Sequence, residues 1–432
     1  MEKYIHIYLS VSLCVVSYFV SVDHALCYAG ETNRFSQITQ FLTANRRNDT
    51  FRRHDENVFN VLDYGARGDG SSYDTEAFLA AWAATCKASG GVMVVPAGYT
   101  FLLQPIIFNG YKCKPNVVVQ VDGKIVASSK KVDWKKNVTQ WILFRECKKG
   151  LTIRGNGGVF DGHGEVWWDP DRDFGRLFAP HAVSISNCFK VTVTGITIQN
   201  SPRMHIYFED SQQVNVFNFT VSSPGNSPNT DGIHLSRSQH VEIHDSTLAC
   251  GDDCISIQTG CSDIKVYQVN CGPGHGYSIG SLGRYETEAL VSDITIYDSN
   301  VQNSMTGVRI KTWEGGSGSV RNVTFSNITM SDVKTPITID QHYCEGHKAC
   351  KDDTSAVAIT GITYQNITGT YTHTSVSLLC SEHEPCKNLI VAGVDLKPSK
   401  TKGSHEGPYC SNAYGEVLTE TLPSLRNCLQ SL

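Results

Sequence analysis

Two adjacent carboxylates, Asp252 and Asp253, sit in the run GDDCISI at 251–257, and three other polar motifs accompany them. SPNTDG at 227–232 carries Asn229 and Asp231, CGPGHG at 271–276 carries His275, and RIKTW at 309–313 carries Arg309 and Lys311. Each motif alone has an ordinary explanation. An Asn-Thr-Asp-Gly stretch makes a turn, and Gly-Asp-Asp occurs in turns and calcium loops. A histidine between glycines suits a tight turn, and Arg-x-Lys puts two cations on one side of a strand, where they normally face solvent. Brought together, they are harder to explain structurally, because clustered like charges raise one another's pKa values and cost stability. A carboxyl kept protonated can give a proton to a leaving oxygen while an ionised neighbour activates water, which is the pairing that glycoside hydrolysis needs. The two cations point further, to a substrate with carboxylates of its own.

The spacing says what must position these residues. Asp231, Asp252, His275 and Arg309 follow one another at 21, 23 and 34 residues. Short alternating segments rich in Val, Ile and Thr recur on a similar step, among them VTVTGITIQNS, QVNVFNFTVSS, HVEIHDSTLAC and IKVYQVNC. With Ile196, Phe217, Ile243, Val266, Ile296, Phe325 and Ile362 as markers, the steps are 21, 26, 23, 30, 29 and 37 residues. Such repeats predict a solenoid, and a parallel β-helix tolerates loops of varied length. Its coils lie roughly 4.8 Å apart, so the four motifs would stack into one ladder on one face. A β-sandwich is the alternative, but it would need Asn-Gly hairpin turns, which are scarce. Ahead of the repeats, Asp74 is expected to cap a helix from Thr75 to Lys87, ended by Gly90 and Gly91. That helix would cover one core end with Phe78, Trp82 and Cys86.

Composition bounds the class. A chain with 40% hydrophobic and 18% charged residues is foldable, and a net charge of −5 without a basic block excludes a nucleic-acid partner. Residues 1–29 read as a signal peptide, with a short charged start, an interrupted apolar run and Cys27-Tyr28-Ala29 before Gly30. Residues 30–55 read as a flexible leader, and 56–432 as the catalytic domain. Of the 16 cysteines, Cys14 and Cys27 fall in the signal segment, and the even remainder argues for disulfides rather than free thiols. Cys344/Cys350, Cys380/Cys386 and Cys410/Cys428 look like local clips, and no zinc-type spacing occurs. Six N-x-S/T sequons begin at Asn48, Asn137, Asn218, Asn322, Asn327 and Asn366. These features say extracellular.

NTDG, DD, GHG and RIK in this order and spacing resemble the polygalacturonases, the pectin-degrading members of glycoside hydrolase family 28. SPNTDGIH, GDDCISIQTG, CGPGHGYSIGSLG and RIKTW, with the opening FNVLDYGARGDG, are similar to the plant members from about residue 57 onward. The resemblance implies an all-β fold, a single right-handed parallel β-helix with an N-terminal capping helix. It also implies inverting hydrolysis of α-1,4-galacturonosyl bonds in the cell wall. Asp252 would be the general acid, Asp231 and Asp253 would position and activate water, and His275 would tune the acid or touch sugar. Arg309 and Lys311 would hold a galacturonate carboxylate, with Asn229 and Tyr343 also on the substrate. A monomer acting on pectin or homogalacturonan is expected, with no cofactor, no metal and no membrane partner after signal cleavage. Endo action is expected over exo. A calcium-dependent pectate lyase is a rival that the GHG and RIK motifs disfavour. A non-catalytic pectin-binding protein and a relative acting on rhamnogalacturonan or xylogalacturonan are the others.

Overall fold

The structure is a computed structural model that describes residues 57–134, 138–169, 178–344, 355–400, 403 and 405–431. The expected signal peptide and leader, the sequons at Asn48 and Asn137, and Cys350 lie outside the described residues. From Asn57 onward the chain is one compact unit, a right-handed parallel β-helix, the hand that parallel crossovers take. Among the described residues, eleven strands of one sheet stack in chain order, and an eighteen-stranded sheet closes the coils around a shared core. Six strands of the first sheet carry the site: β1 (Ile206–Glu209), β2 (Ile233–Ser236), β3 (Ile255–Ile257), β4 (Tyr277–Leu282), β5 (Thr306–Thr312) and β6 (Thr335–Asp340). Each pairs in parallel with the next.

Alternation puts one apolar residue per coil into each core column. In the larger sheet Val193, Val216, Ile243, Val266, Ile296, Phe325, Tyr364 and Val391 form one such column, and all are buried. Burying each such side chain is worth about 1.5–3 kcal/mol. Four of the seven expected markers belong to this column. Phe217 is one residue off it and so faces outward, where it stacks on His244 at 5.2 Å. Ile362 is two residues off and pairs with Val323 instead, and Ile196 belongs to the neighbouring stretch that pairs with Gly158. Between columns, corner residues take positive φ: Asn218 (47°), Asp245 (46°), Asp298 (47°), Asn327 (53°) and Asn366 (53°). Asn and Asp tolerate that region best, and their side chains bond along the stack, Asn327 Nδ2 to Asp298 Oδ1 at 2.9 Å and Asn366 Nδ2 to Asn327 Oδ1 at 3.0 Å. Four sequons, at Asn218, Asn322, Asn327 and Asn366, therefore have a structural origin, a positive-φ asparagine two residues before a strand threonine.

Helix α1 (Thr75–Thr85) packs Phe78 against Phe101 and Trp82 against Phe108 and Phe144 at one end of the core. It stops two residues short of the expected end, because the last turn tightens into i→i+3 bonds through Lys87 and Ala88. Asp74 does not cap it. Its carboxylate instead accepts from Arg67 N at 2.6 Å and Gly68 N at 3.2 Å, tying down the turn before the helix.

Cys380–Cys386 and Cys410–Cys428 are bridged as expected, with Cys86–Cys113 and Cys254–Cys271 besides. Cys344 is also disulfide-bonded. The expectation of no free thiols fails at Cys147, Cys188, Cys250 and Cys261, all buried and unpaired. There they serve as small apolar fillers of the core, and Cys147 N donates to Cys188 Sγ at 3.3 Å.

Candidate active site

The catalytic candidates sit where turns enter the strands of the smaller sheet. Asp231 precedes β2, Asp252 and Asp253 precede β3, and His275 precedes β4. Ile233 pairs with Ile255, a step of 22 residues rather than 21, so Asp231 lies level with Asp253 and not with Asp252. The backbone confirms this register, since Gly232 N donates to Asp253 O at 2.9 Å. Gly251 makes the close approach possible: a Cβ there would lie 2.0 Å from Ser227 O. Arg309 is in register with Ser278, three residues past His275. The expected single ladder is thus two columns, one along the turns and one on the strands, joined by long side chains.

Asp253 is the hub. Its Oδ1 accepts from Ser278 Oγ at 2.7 Å and Arg309 Nη2 at 2.6 Å, and its Oδ2 accepts from Lys311 Nζ at 3.0 Å. Burial alone would raise its pKa, but Lys311 and Arg309 hold the carboxyl well below the usual range. Asp252 is the half-buried partner. Its Oδ1 accepts from Asp253 N at 2.8 Å and lies 2.9 Å from His275 Nδ1. Asp231 is buried and its pKa is raised, first by burial and further by the Asp252 and Asp253 charges, with His234 opposing both. His234 Nδ1 lies 2.7 Å from Asp231 Oδ2.

Six of the eight expected residues, Asn229, Asp231, Asp252, Asp253, Lys311 and Tyr343, line one open cleft. The other two adjoin it through a carboxylate, His275 through Asp252 and Arg309 through Asp253. Lys311 Nζ also lies 5.3 Å from the centre of the Tyr343 ring. Arg309 and Lys311 do share one side of β5, away from the core residues Val308 and Ile310, but both are buried against Asp253, so the solvated-face explanation does not apply. Asp252, Asp253 and His275 place donor atoms within 4.8 Å of one another. A metal there would have to displace the cations that occupy both oxygens of Asp253.

Four neighbours of the candidate site escaped the sequence reading. His234 follows Asp231 by three residues in SPNTDGIH, so its signal was in a run already singled out. Ser278 bridges Arg309 Nε, at 3.0 Å, to Asp253, and nothing in GYS announces that. Arg203 and Arg284 also line the cleft, from loops that carry no motif. His205 is a satisfied core histidine, bonded to Asp231 O and Ser223 Oγ and pushed down to about 4 by burial.

A site with one half-buried carboxyl, one buried carboxyl whose pKa is raised and one whose pKa its cations hold down has the groups that acid–base cleavage needs. Residues 86–414 match the sequence model of glycosyl hydrolases family 28, and the chain belongs to that family. It is 40% identical over 368 residues to a polygalacturonase of Persea americana, spanning 84% of this chain and 78% of that one. It is 37% identical over 396 residues to polygalacturonase-2 of Solanum lycopersicum, spanning 87% and 86%. In fold it matches endo-xylogalacturonan hydrolase from Aspergillus tubingensis with a TM-score of 0.73 at 24% identity, over 84% of this chain and 99% of that one.

Proposed function

We propose that the chain hydrolyses α-1,4-galacturonosyl linkages of pectin, acting as an endo-polygalacturonase with inversion. The observation that carries this reading is the division of labour among three carboxylates in one cleft. Asp252 faces the cleft and gives its proton to the leaving glycosidic oxygen. Water enters between Asp231 and Asp253, which lie level on neighbouring coils. Asp231, with the raised pKa, is the stronger base and takes the proton. Asp253, kept ionised by its two cations, orients the water. His275 orients Asp252. Lys311 reaches the cleft and shares its three donors between Asp253 and a substrate carboxylate, whereas Arg309 is a positioning residue that acts through Asp253. Asn229 and Tyr343 contact sugar.

The groove supports endo action, since it runs on past Arg203 and Asn229 to Trp168 and Phe178. Residues 1–29 would direct the chain to the secretory pathway and the cell wall, where a monomer suffices. Purified protein on poly-galacturonate should drop viscosity quickly while few reducing ends appear. Monomer from the outset would mean exo action. Ultraviolet-absorbing unsaturated products, abolished by chelator, would instead make it a lyase.

His234 offers a check on the base. His234→Phe removes the contact that lowers the Asp231 pKa and leaves burial unopposed, so that pKa rises further. The base must be ionised to work. The acidic limb of the kcat/KM profile should therefore move to higher pH, with a severalfold loss on that limb. A profile that stays put would show that Asp231 is not the base.

A further inference from the structure

Every cation expected to read the substrate turns out to be engaged. Arg309 and Lys311 are both within 3.0 Å of Asp253, with side chains only 7% and 8% exposed. The cleft also holds a guanidinium, that of Arg284, with no ion pair among the described residues. Arg284 follows β4 across the turn at Gly283, whose φ of 78° suits glycine. It projects into the same cleft as Asp231, Asp252 and Asp253. Its place along the chain sets its rim: Asp252 and His275 precede their strands, whereas Arg284, Gln258 and Ser281 lie on the side where strands leave the sheet.

The guanidinium carbon of Arg284 lies 4.9 Å from the ring centre of Tyr285 and 4.9 Å from that of Trp313. Trp313 is fixed in turn, its N donating to Leu282 O at 2.8 Å and its ring edge-on to Tyr343 at 5.6 Å. Aromatic rings thus hold the side chain in place without neutralising it. Arg284 makes no ion pair among the described residues, and its buried Nε has no hydrogen-bond partner there. Arg237, by contrast, is held by Glu209 and Asp210 at 2.6 and 2.7 Å. A planar fork of donors, preorganised and unpaired beside three carboxylates, is suited to a bidentate anion.

We propose that Arg284 is a binding residue that takes an ionised carboxylate of the substrate on the rim opposite Asp252, so that this position selects a free acid over its methyl ester. The proposal rests on the reading given under Proposed function, and it adds a second carboxylate-binding cation to Lys311, whose donors are shared with Asp253.

The test is steady-state kinetics of the wild type, Arg284→Gln and Arg284→Lys on de-esterified poly-galacturonate and on highly methyl-esterified pectin, with thermal unfolding alongside. Arg284→Gln should raise KM for the de-esterified polymer about tenfold, with the effect falling on KM rather than kcat. It should also erase most of the preference for free acid over ester, and Arg284→Lys should recover part of both. Should Arg284→Gln fail to fold, Tyr285→Ala removes one stacking face at a residue 78% exposed and should still raise KM, by a smaller factor. An active wild type whose KM and ester preference are untouched by these changes overturns the proposal alone. So does a loss that follows melting temperature and is not relieved by lysine, since Arg284 would then only prop the Trp313 loop. A wild type inactive on both polymers sinks the proposed function itself.

Discussion

Asp252→Asn should lower kcat on poly-galacturonate by about 10³-fold or more while leaving the fold and substrate binding in place. The side chain is 23% exposed and accepts a hydrogen bond from Asp253 N. An asparagine oxygen can keep that bond, so the stability change should stay within about 0.5–1 kcal/mol. What asparagine cannot do is give a proton to a leaving oxygen. Binding should hold, because asparagine matches a proton-bearing carboxyl in shape and charge. Reducing-end release gives kcat, titration calorimetry with oligogalacturonides gives affinity, and a melting curve gives stability. Turnover within tenfold of the wild type would remove Asp252 as the acid. Asp231 would then be the next carboxyl to consider, since its raised pKa also favours a held proton.

The fold was legible because a β-helix writes its architecture into local sequence. Alternation gave the strands, and Ile243, Val266, Ile296 and Phe325 gave the step directly. Phe217 and Ile362 misled because hydrophobicity alone does not say which face a residue takes, and a shift of one position reverses it. The gathering of the polar motifs was readable for the same reason, but their register was not. Asp231 aligns with Asp253 because the turn before β3 holds one residue more than the motif spacing suggests. Partners fixed by that register stayed hidden: Ser278 reaches Asp253 only because its strand lies beside β3, and Arg284 acquires its second ring only when Trp313 arrives from the next coil. Asp74 shows the opposite failure, a correct local signal whose side chain was taken by the turn before the helix.

Asp253→Asn should be the costliest single change in the site, at about 3–5 kcal/mol of stability. The reasoning is charge arithmetic in a dry place. Asp253 is 2% exposed and holds Arg309 and Lys311, so the trio carries one net positive charge. Removing Lys311, as methionine, leaves a neutral buried pair, and the cost should be about 1–3 kcal/mol. Removing the carboxylate leaves two buried cations facing each other with nothing between them. The ordering matters more than either value, and a double-mutant cycle exposes it: Asp253→Asn combined with Lys311→Met should cost less than the sum of the single changes. Acid should erase the difference. Because the folded-state pKa of Asp253 is depressed, its contribution is complete above the ordinary carboxylate range and fades as pH falls toward the folded value. Denaturant unfolding at neutral pH and again below pH ~4 measures all of this. An Asp253→Asn protein no less stable than Lys311→Met at neutral pH would mean that Arg309 and Lys311 reach solvent, and the case for Asp253 as a permanently ionised carboxylate would fall with it.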